Sequence, residues 1–219
     1  MENLKNLLAI MFLSFIAFVA SLTIVSWVSP NNPNVLKFKF KNEKVENLIL
    51  EKAVEAEDYC KKNDYNQDFC ILIDMSIHSG KNRFRVYDFN KNKVTHSYLV
   101  SHGCGENGWS WEGSKTNPTF SNVADSHLSS LGKYAIGDRG WSSWGVNVNY
   151  KLHGLEESNS NAYKRWIVFH SWDNIQDNEI YPYGTDEGWG CPAVSNESFK
   201  KIDKLLKNQS KSTLMWIYK

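Results

Sequence analysis

The chain has 219 residues, 42% of them hydrophobic and 14% aromatic, with nine tryptophans and a formal net charge of +1. That length supports one domain with a full core or two small ones. So small a net charge excludes the basic character of a typical nucleic-acid binder, and no nucleic-acid partner is expected.

The run LLAIMFLSFIAFVASLTIVSWV at 7–28 carries no charge and is long enough to span a bilayer as a helix. It exceeds the apolar core of a usual cleaved signal and has no strong small-x-small cleavage site. Residues 1–28 therefore read as a signal anchor, with a cleaved signal peptide as the alternative. No cysteine lies near the span, which excludes a lipoprotein anchor. Lys5 precedes the span and Lys37, Lys39, Lys41 and Lys44 follow it, which on charge alone would keep the following domain inside. SPNNPN at 29–34 opens a Pro/Asn linker over 29–42. KFKFKNEK at 37–44 alternates Lys with Phe and is broken by Glu43, which reads as a solvated linker or a first strand.

Over 42–63, Val45, Leu48, Ile49, Ala53, Ala56 and Cys60 fall on one face of a helix. Short strands follow at 69–77, 83–89, 96–103, 133–137, 144–152 and 165–171. Turns such as SGKN and NKNK separate the first of them, as in a mostly antiparallel sheet. Ser195 is placed to cap a helix carrying Phe199, Ile202, Leu205 and Leu206, and TLMWIYK closes the chain as a strand. The expected fold is mostly β (β-rich α+β), a single domain over 43–219 with a helix at each end.

Four cysteines are present: Cys60, Cys70, Cys104 and Cys191. Cys60 sits at a helix end and Cys70 at a strand start, with a short polar loop between. In an oxidising compartment a Cys60–Cys70 disulfide is the expectation, and two buried thiols are the alternative. No C-x-x-C or H-x-x-x-H pair exists among the cysteines and the six histidines, so no metal site is expected.

Chemistry concentrates at GWGCPAVS, 188–195, where glycines flank Cys191 and Pro192 fixes the exit of the chain. A thiol needs a base, because only a few per cent is thiolate near pH 7. His170, in IVFHSW, emerges at a strand end with a polar loop between it and Cys191. Gly188 and Gly190 tolerate strained backbone, so the amides at Gly190 and Cys191 can converge as an oxyanion site. Together these residues point to acyl transfer through a thioester. A buried structural His and Cys are the plain alternative.

Five segments in order resemble the murein L,D-transpeptidase catalytic domain, of the YkuD type with Gly-Cys-Pro at the nucleophile. They are DMSIHSGKNRFRVYD (74–88), LVSHG (99–103), FSNVADSHLSSLGKY (120–134), LHGLEESNSNAYKRWIVFHS (152–171) and GWGCPAVS (188–195). The resemblance covers about 44–219. It implies a single β-sandwich domain, a Cys191 nucleophile, a His170 base oriented by the carbonyl of Ser171, and oxyanion amides from Gly190 and Cys191. It places His102, Ser126, His127, Ser129 and Ser130 along or behind the cleft, matches Arg165 to a family arginine, and requires no metal or cofactor. It implies activity on peptidoglycan stem peptides in the bacterial cell envelope, outside the cytoplasmic membrane. The thiolate would attack the carbonyl between the third residue and D-Ala. An amine acceptor would then give a cross-link or amino-acid exchange, and water would give L,D-carboxypeptidase activity. A non-catalytic wall-binding scaffold of the same fold is the competing class.

This sequence departs from the family pattern just before Gly-Cys-Pro, where Glu187-Gly188 stand in place of Arg-Ser. Asp173, Asp177, Glu179, Asp186 and Glu187 make the 173–190 segment acidic, with no Lys or Arg. Such a loop disfavours a thiolate and would attract a cationic acceptor, unless it faces away from the thiol. Cys104 is a second departure, either a small loop residue or a redox partner of Cys191. Trp109, Trp111, Trp141, Trp144, Trp172 and Trp189 fall in loops around the motifs, as sugar-stacking surfaces or as packing. Trp189 is counted with the substrate-binding residues.

Overall fold

The computed structural model of the chain describes residues 33–219, with side chains from Val45. The uncharged span at 7–28 and the start of the linker lie outside the described residues. Among those described, no helix is long and apolar enough to cross a membrane. Internal contacts divide the chain at Glu51/Lys52, and the strands, the second helix and the candidate site belong to the larger unit, Lys52–Lys219.

Helix α1 spans Pro33–Lys62, so it takes in residues expected as linker or first strand. Its second half is held by the sheet. Ala53, Ala56 and Cys60 are buried. Glu55 pairs with Lys133 at 3.1 Å, and the Lys133 ammonium lies 3.8 Å over the Trp216 ring. The strands are β1 (Phe69–Asp74), β2 (Phe84–Asp88), β3 (Lys93–Tyr98), β4 (Gly132–Trp141), β5 (Val148–Gly154), β6 (Val168–Ser171), β7 (Ala193–Val194) and β8 (Leu214–Tyr218). A short 3-10 turn covers Glu157–Asn159, and helix α2 spans Asn196–Leu206.

All eight strands lie in one sheet, in the order β3-β2-β1-β8-β4-β5-β6-β7. The β1–β8 and β6–β7 pairs are parallel and the others antiparallel. The chain leaving β3 runs beside the segment entering β7. Ser101 N–H donates to the Ala193 carbonyl at 2.9 Å, Gly188 N–H to the His102 carbonyl at 2.8 Å, and Cys104 N–H to the Gly188 carbonyl at 2.7 Å. The two ends of the sheet therefore meet in a nearly closed barrel. This corrects the expected sandwich: one ladder curls until its edges touch, which also removes the exposed edges of an open sheet.

Period-2 alternation in the strands builds the core. Ile71 and Ile73, Phe84 and Val86, Tyr134 and Ile136, and Met215 and Ile217 all point into one cluster. Helix α2 closes it. Ser195 Oγ accepts from Ser198 N–H at 3.2 Å, as expected for the cap, and Phe199, Ile202 and Leu206 are buried on one face. Phe199 meets Phe169 of β6 with ring centroids 5.0 Å apart. That contact fixes the strand end that carries His170.

The four cysteines are free thiols. The expected Cys60–Cys70 disulfide is not formed. Both thiols are buried, and burial drives their ionisation upward, to about 12 for Cys60. They behave as small core groups.

Candidate active site

Strand β6 ends at His170-Ser171, and β7 begins two residues after Cys191. Pairing of His170 with Ala193, and of His170 N–H with the Pro192 carbonyl at 3.4 Å, brings the two chain segments together. His170 and Cys191 line one pocket, with Ser101, Gly188, Ala193 and the indoles of Trp109, Trp144, Trp172 and Trp189. The cavity has a volume of about 130 Å³.

His170 Nδ1 lies 2.9 Å from the Ser171 carbonyl. A carbonyl only accepts, so Nδ1 carries the proton and Nε2 is the basic nitrogen. Burial lowers the pKa of His170, and the Ser171 carbonyl opposes this only in part. The imidazole is therefore neutral at pH 7. Ser171 Oγ in turn accepts from Val146 N–H at 2.9 Å. Gly145 makes this possible: at φ +56°, a Cβ there would lie 2.1 Å from Ser171 Oγ.

Burial raises the pKa of Cys191. The Val168 N–H, 3.4 Å from Sγ, and the charge of Arg165 pull it back. Arg165 has no carboxylate partner among the described residues. Its guanidinium donates to the carbonyls of Ser121 and Leu128 at 2.9 and 2.6 Å, and to the hydroxyls of Ser130 and Ser126 at 2.8 and 3.2 Å. A cation bound only to neutral oxygens keeps its full charge beside the thiol.

Gly190 has φ +96°, and a Cβ there would sit 2.6 Å from the Leu128 carbonyl oxygen. Ser129 Oγ donates to the Gly190 carbonyl at 3.0 Å and accepts from Gly103 N–H at 3.1 Å. Holding that carbonyl turns the Cys191 N–H, trans across the same peptide plane, the other way. The amides of Gly190 and Cys191 donate to no acceptor among the described residues. The Gly188 amide is engaged by His102.

The other residues singled out from the sequence divide. Trp189 lines the pocket and stacks on His127, with centroids 5.0 Å apart and planes at 18°. Ser126 and His127 line a second, separate pocket with Cys104. Ser129 and Ser130 are buried supports of the 121–130 loop. Cys104 is buried, which raises its pKa, and it does not share the wall of Cys191. Trp111 and Trp141 are exposed and outside the pocket.

His102 does not line the pocket at all. It is buried, and its Nδ1 accepts from Arg83 Nη2 at 2.8 Å. Arginine only donates, so the proton sits on Nε2, 2.9 Å from Ser114 Oγ and 3.5 Å from Glu187 Oε1. Burial and the Arg83 charge push the His102 pKa well down, so this contact is between a neutral imidazole and a carboxylate. Glu187 is fully buried. Its Oε1 accepts from Ser114 N–H at 2.6 Å and Ser114 Oγ at 2.9 Å. Arg83 is fully buried too, and its pKa falls to about 9 through burial, with Asp74 and Glu187 opposing. The residue that replaces the family arginine is thus part of an internal polar network, and its carboxylate does not reach the thiol's wall.

Two participants were not singled out from the sequence. Arg83 donates to the Val100 carbonyl at 2.8 Å and so props the segment facing β7. Ser101 Oγ accepts from Ala193 N–H at 3.0 Å and donates to the Cys191 carbonyl at 3.3 Å. Both lie inside the motif segments quoted above, which was the available signal.

The L,D-transpeptidase catalytic domain model matches residues 41–218. No curated protein matches the chain. Among solved structures, Bd1075 of Bdellovibrio bacteriovorus is similar at 16% identity and a TM-score of 0.42, over 71% of this chain and 49% of that one. An L,D-transpeptidase from Xylanimonas cellulosilytica is similar at 13% and 0.38, over 68% and 60%. The helical cell shape determining protein Pgp2 of Campylobacter jejuni is similar at 13% and 0.43, over 71% and 49%. The chain thus spans about half to three fifths of the length of these structures. With the family model matched along nearly the whole described chain, and Gly-Cys-Pro beside a strand-end histidine, this chain belongs to the L,D-transpeptidase catalytic domain family.

Proposed function

We propose that the protein is a cysteine acyltransferase acting on peptidoglycan stem peptides, the substrate class of its family. The observation that carries this reading is the pairing in one pocket of Cys191 with a neutral His170 whose tautomer is set by the Ser171 carbonyl. His170 Nε2 takes the thiol proton as Sγ attacks the carbonyl between the third stem residue and D-Ala. The amides of Gly190 and Cys191 stabilise the oxyanion. The C–N bond then breaks, and the proton on His170 goes to the leaving D-Ala nitrogen. The product is a thioester on Cys191, which an amine resolves to a cross-link or exchanged stem.

Raised thiol and lowered imidazole pKa values favour a neutral pair at rest, so the proton moves as the substrate is attacked. Arg165 and the Val168 amide limit the cost of the negative sulfur. Glu187, bonded to Ser114, does not line the Cys191 pocket. The work is extracytoplasmic, where the family's substrate lies, and residues 7–28 hold the protein at the membrane.

Incubation with tetrapeptide muropeptides tests the reading. Release of D-Ala by the wild type and its loss in Cys191→Ala are expected. Wild-type protein that is folded and releases no D-Ala contradicts it.

A further inference from the structure

We propose that the outer face of β5 is a second substrate subsite, where Lys151, flanked by the rings of Tyr163 and Trp166, binds a carboxylate of the stem peptide. This rests on the acyl-transfer reading above and says how the donor is held.

Strand register places Lys151 on the same face as His170. Tyr150 and Phe169 pair, and both point into the core. Their neighbours, Asn149 opposite His170 and Lys151 opposite Val168, therefore share the other face. Val168 N–H is 3.4 Å from Cys191 Sγ. The Lys151 backbone thus stands one strand spacing, about 4.8 Å, from a residue that touches the thiol. Lys151 is not part of the wall of the Cys191 pocket.

Trp166 is a second link to the thiol. Its backbone is left-handed, at φ +57°, which a bulky side chain rarely adopts. Trp166 N–H on the Tyr163 carbonyl at 3.1 Å, and Ile167 N–H on the Ala162 carbonyl at 3.0 Å, close the turn. The turn sets the Trp166 carbonyl 3.7 Å from Cys191 Sγ and leaves the indole 76% exposed. Packing does not account for so exposed a ring in a strained turn.

The patch is built around the lysine. Lys151 Nζ lies 5.2 Å from the Tyr163 ring centre and 5.9 Å from that of Trp166, and donates to Tyr163 Oη at 3.4 Å. Tyr163 stacks on His153, with centroids 4.9 Å apart and planes at 17°. Gly137 gives His153 the room, since a Cβ there would lie 2.6 Å from His153 Nε2. Lys151 pairs with no carboxylate among the described residues. Lys133 supplies the contrast. It too lies over aromatic rings, those of Tyr59 and Trp216, but Glu55 and Glu156 hold it at 3.1 and 3.2 Å. Lys151 has the aromatic setting without the anions.

This arrangement selects an anion with an apolar body. Aromatic rings hold an ammonium in place without neutralising it, so a carboxylate gains a charge-assisted hydrogen bond. The exposed indole covers the adjoining peptide. An extended peptide advances about 3.5 Å per residue, so a carboxylate one or two residues from the attacked carbonyl is within reach of the Lys151 side chain. Two kinds of stem carboxylate meet this: the terminal one of D-Ala, on the leaving side, and one carried by the acyl part.

The test is a cycle of protein and donor variants. Release of the terminal residue is followed with a tetrapeptide muropeptide, with the same donor amidated at the D-Ala carboxyl, and with one amidated at its other carboxyls. Lys151→Met keeps the apolar stem and removes the charge. It is expected to raise KM for the unmodified donor about tenfold with little change in kcat, the loss of one charge-assisted hydrogen bond. Lys151→Arg is expected to retain most of the affinity. Trp166→Gly, which suits the left-handed backbone and removes only the ring, is expected to raise KM about threefold. One amidated donor should lose the same factor with the wild type and nothing further with Lys151→Met, and which donor does so identifies the carboxylate. An unchanged KM in Lys151→Met, or a rise of equal size on all three donors, overturns the proposal. Calorimetric binding of the tetrapeptide muropeptide to Cys191→Ala needs no turnover. A Kd about tenfold weaker when Lys151→Met is added supports the subsite, and an unchanged Kd, or no binding by Cys191→Ala, overturns it. Wild type that releases no D-Ala, while Cys191→Ala still binds through Lys151, defeats the acyl-transfer reading and leaves the subsite standing.

Discussion

At Cys191 two influences oppose each other, burial against the Arg165 charge and the Val168 amide, and burial is the larger. Alkylation of Cys191 by iodoacetamide should therefore keep rising with pH beyond the ordinary thiol range. A plateau already reached at neutral pH would mean a preformed thiolate–imidazolium pair and would contradict this description. Arg165→Gln should slow alkylation at a fixed pH by roughly three- to tenfold, with Arg165→Lys restoring part of it. Glu187→Ala should cost about 3 kcal/mol in chemical denaturation, because Ser114 N–H and the buried Arg83 lose their anion. That Cys191 and His170 share one pocket, with the Ser171 carbonyl against the imidazole, was legible in the sequence because motif and chemistry coincide there. The burial of Glu187 was not, since its partners Ser114, His102 and Arg83 come from segments distant in the chain. An acid among acids reads as solvated until the fold encloses it.

Elements were legible where periodicity is strong. Helix α2 and its Ser195 cap stand where expected, and Ser195→Ala should cost about 1 kcal/mol. Phe199→Ala should cost about 3–5 kcal/mol and loosen the β6 end that carries His170, read as a fall in both thermal midpoint and acylation rate. Strand β4 runs to Trp141 because its outer half, GDRGW, is exposed and pairs with β5, and such residues show no apolar alternation. Strand β7 has only two residues, too few for any period. The expected strand start at 144–147 is a turn, with positive φ at Gly145 and Asn147. Residues 99–103 extend beyond β3 because their partners lie in the 188–193 segment, a pairing that local pattern does not reveal.

For the molecule as a whole, alternation tells which strand face is buried but not whether the strands share one sheet or two. The pattern therefore gave only a mostly β domain, the resemblance implied a sandwich, and a nearly closed barrel is found. Closure sets the Cys191 segment between Ser101 and His170, so the candidate site is built by the same contacts that complete the sheet. His102 and His170 are both buried with lowered pKa values. The unfolded chain binds protons that the folded one refuses, so stability is held above the ordinary imidazole pKa near 6.5 and falls as pH drops through it. The thermal midpoint should therefore be lower at pH 5.5 than at pH 7.5. An unchanged midpoint would mean that these imidazoles accept protons in the folded state. The most direct measurement is intact-mass spectrometry of the protein mixed with a tetrapeptide muropeptide and quenched in acid. The expected result is an adduct of donor minus D-Ala, mapped to Cys191 and absent from Cys191→Ala. Folded wild-type protein with no adduct and no released D-Ala, or an adduct that persists in Cys191→Ala, would contradict the assignment of Cys191 as the acyl-carrying nucleophile.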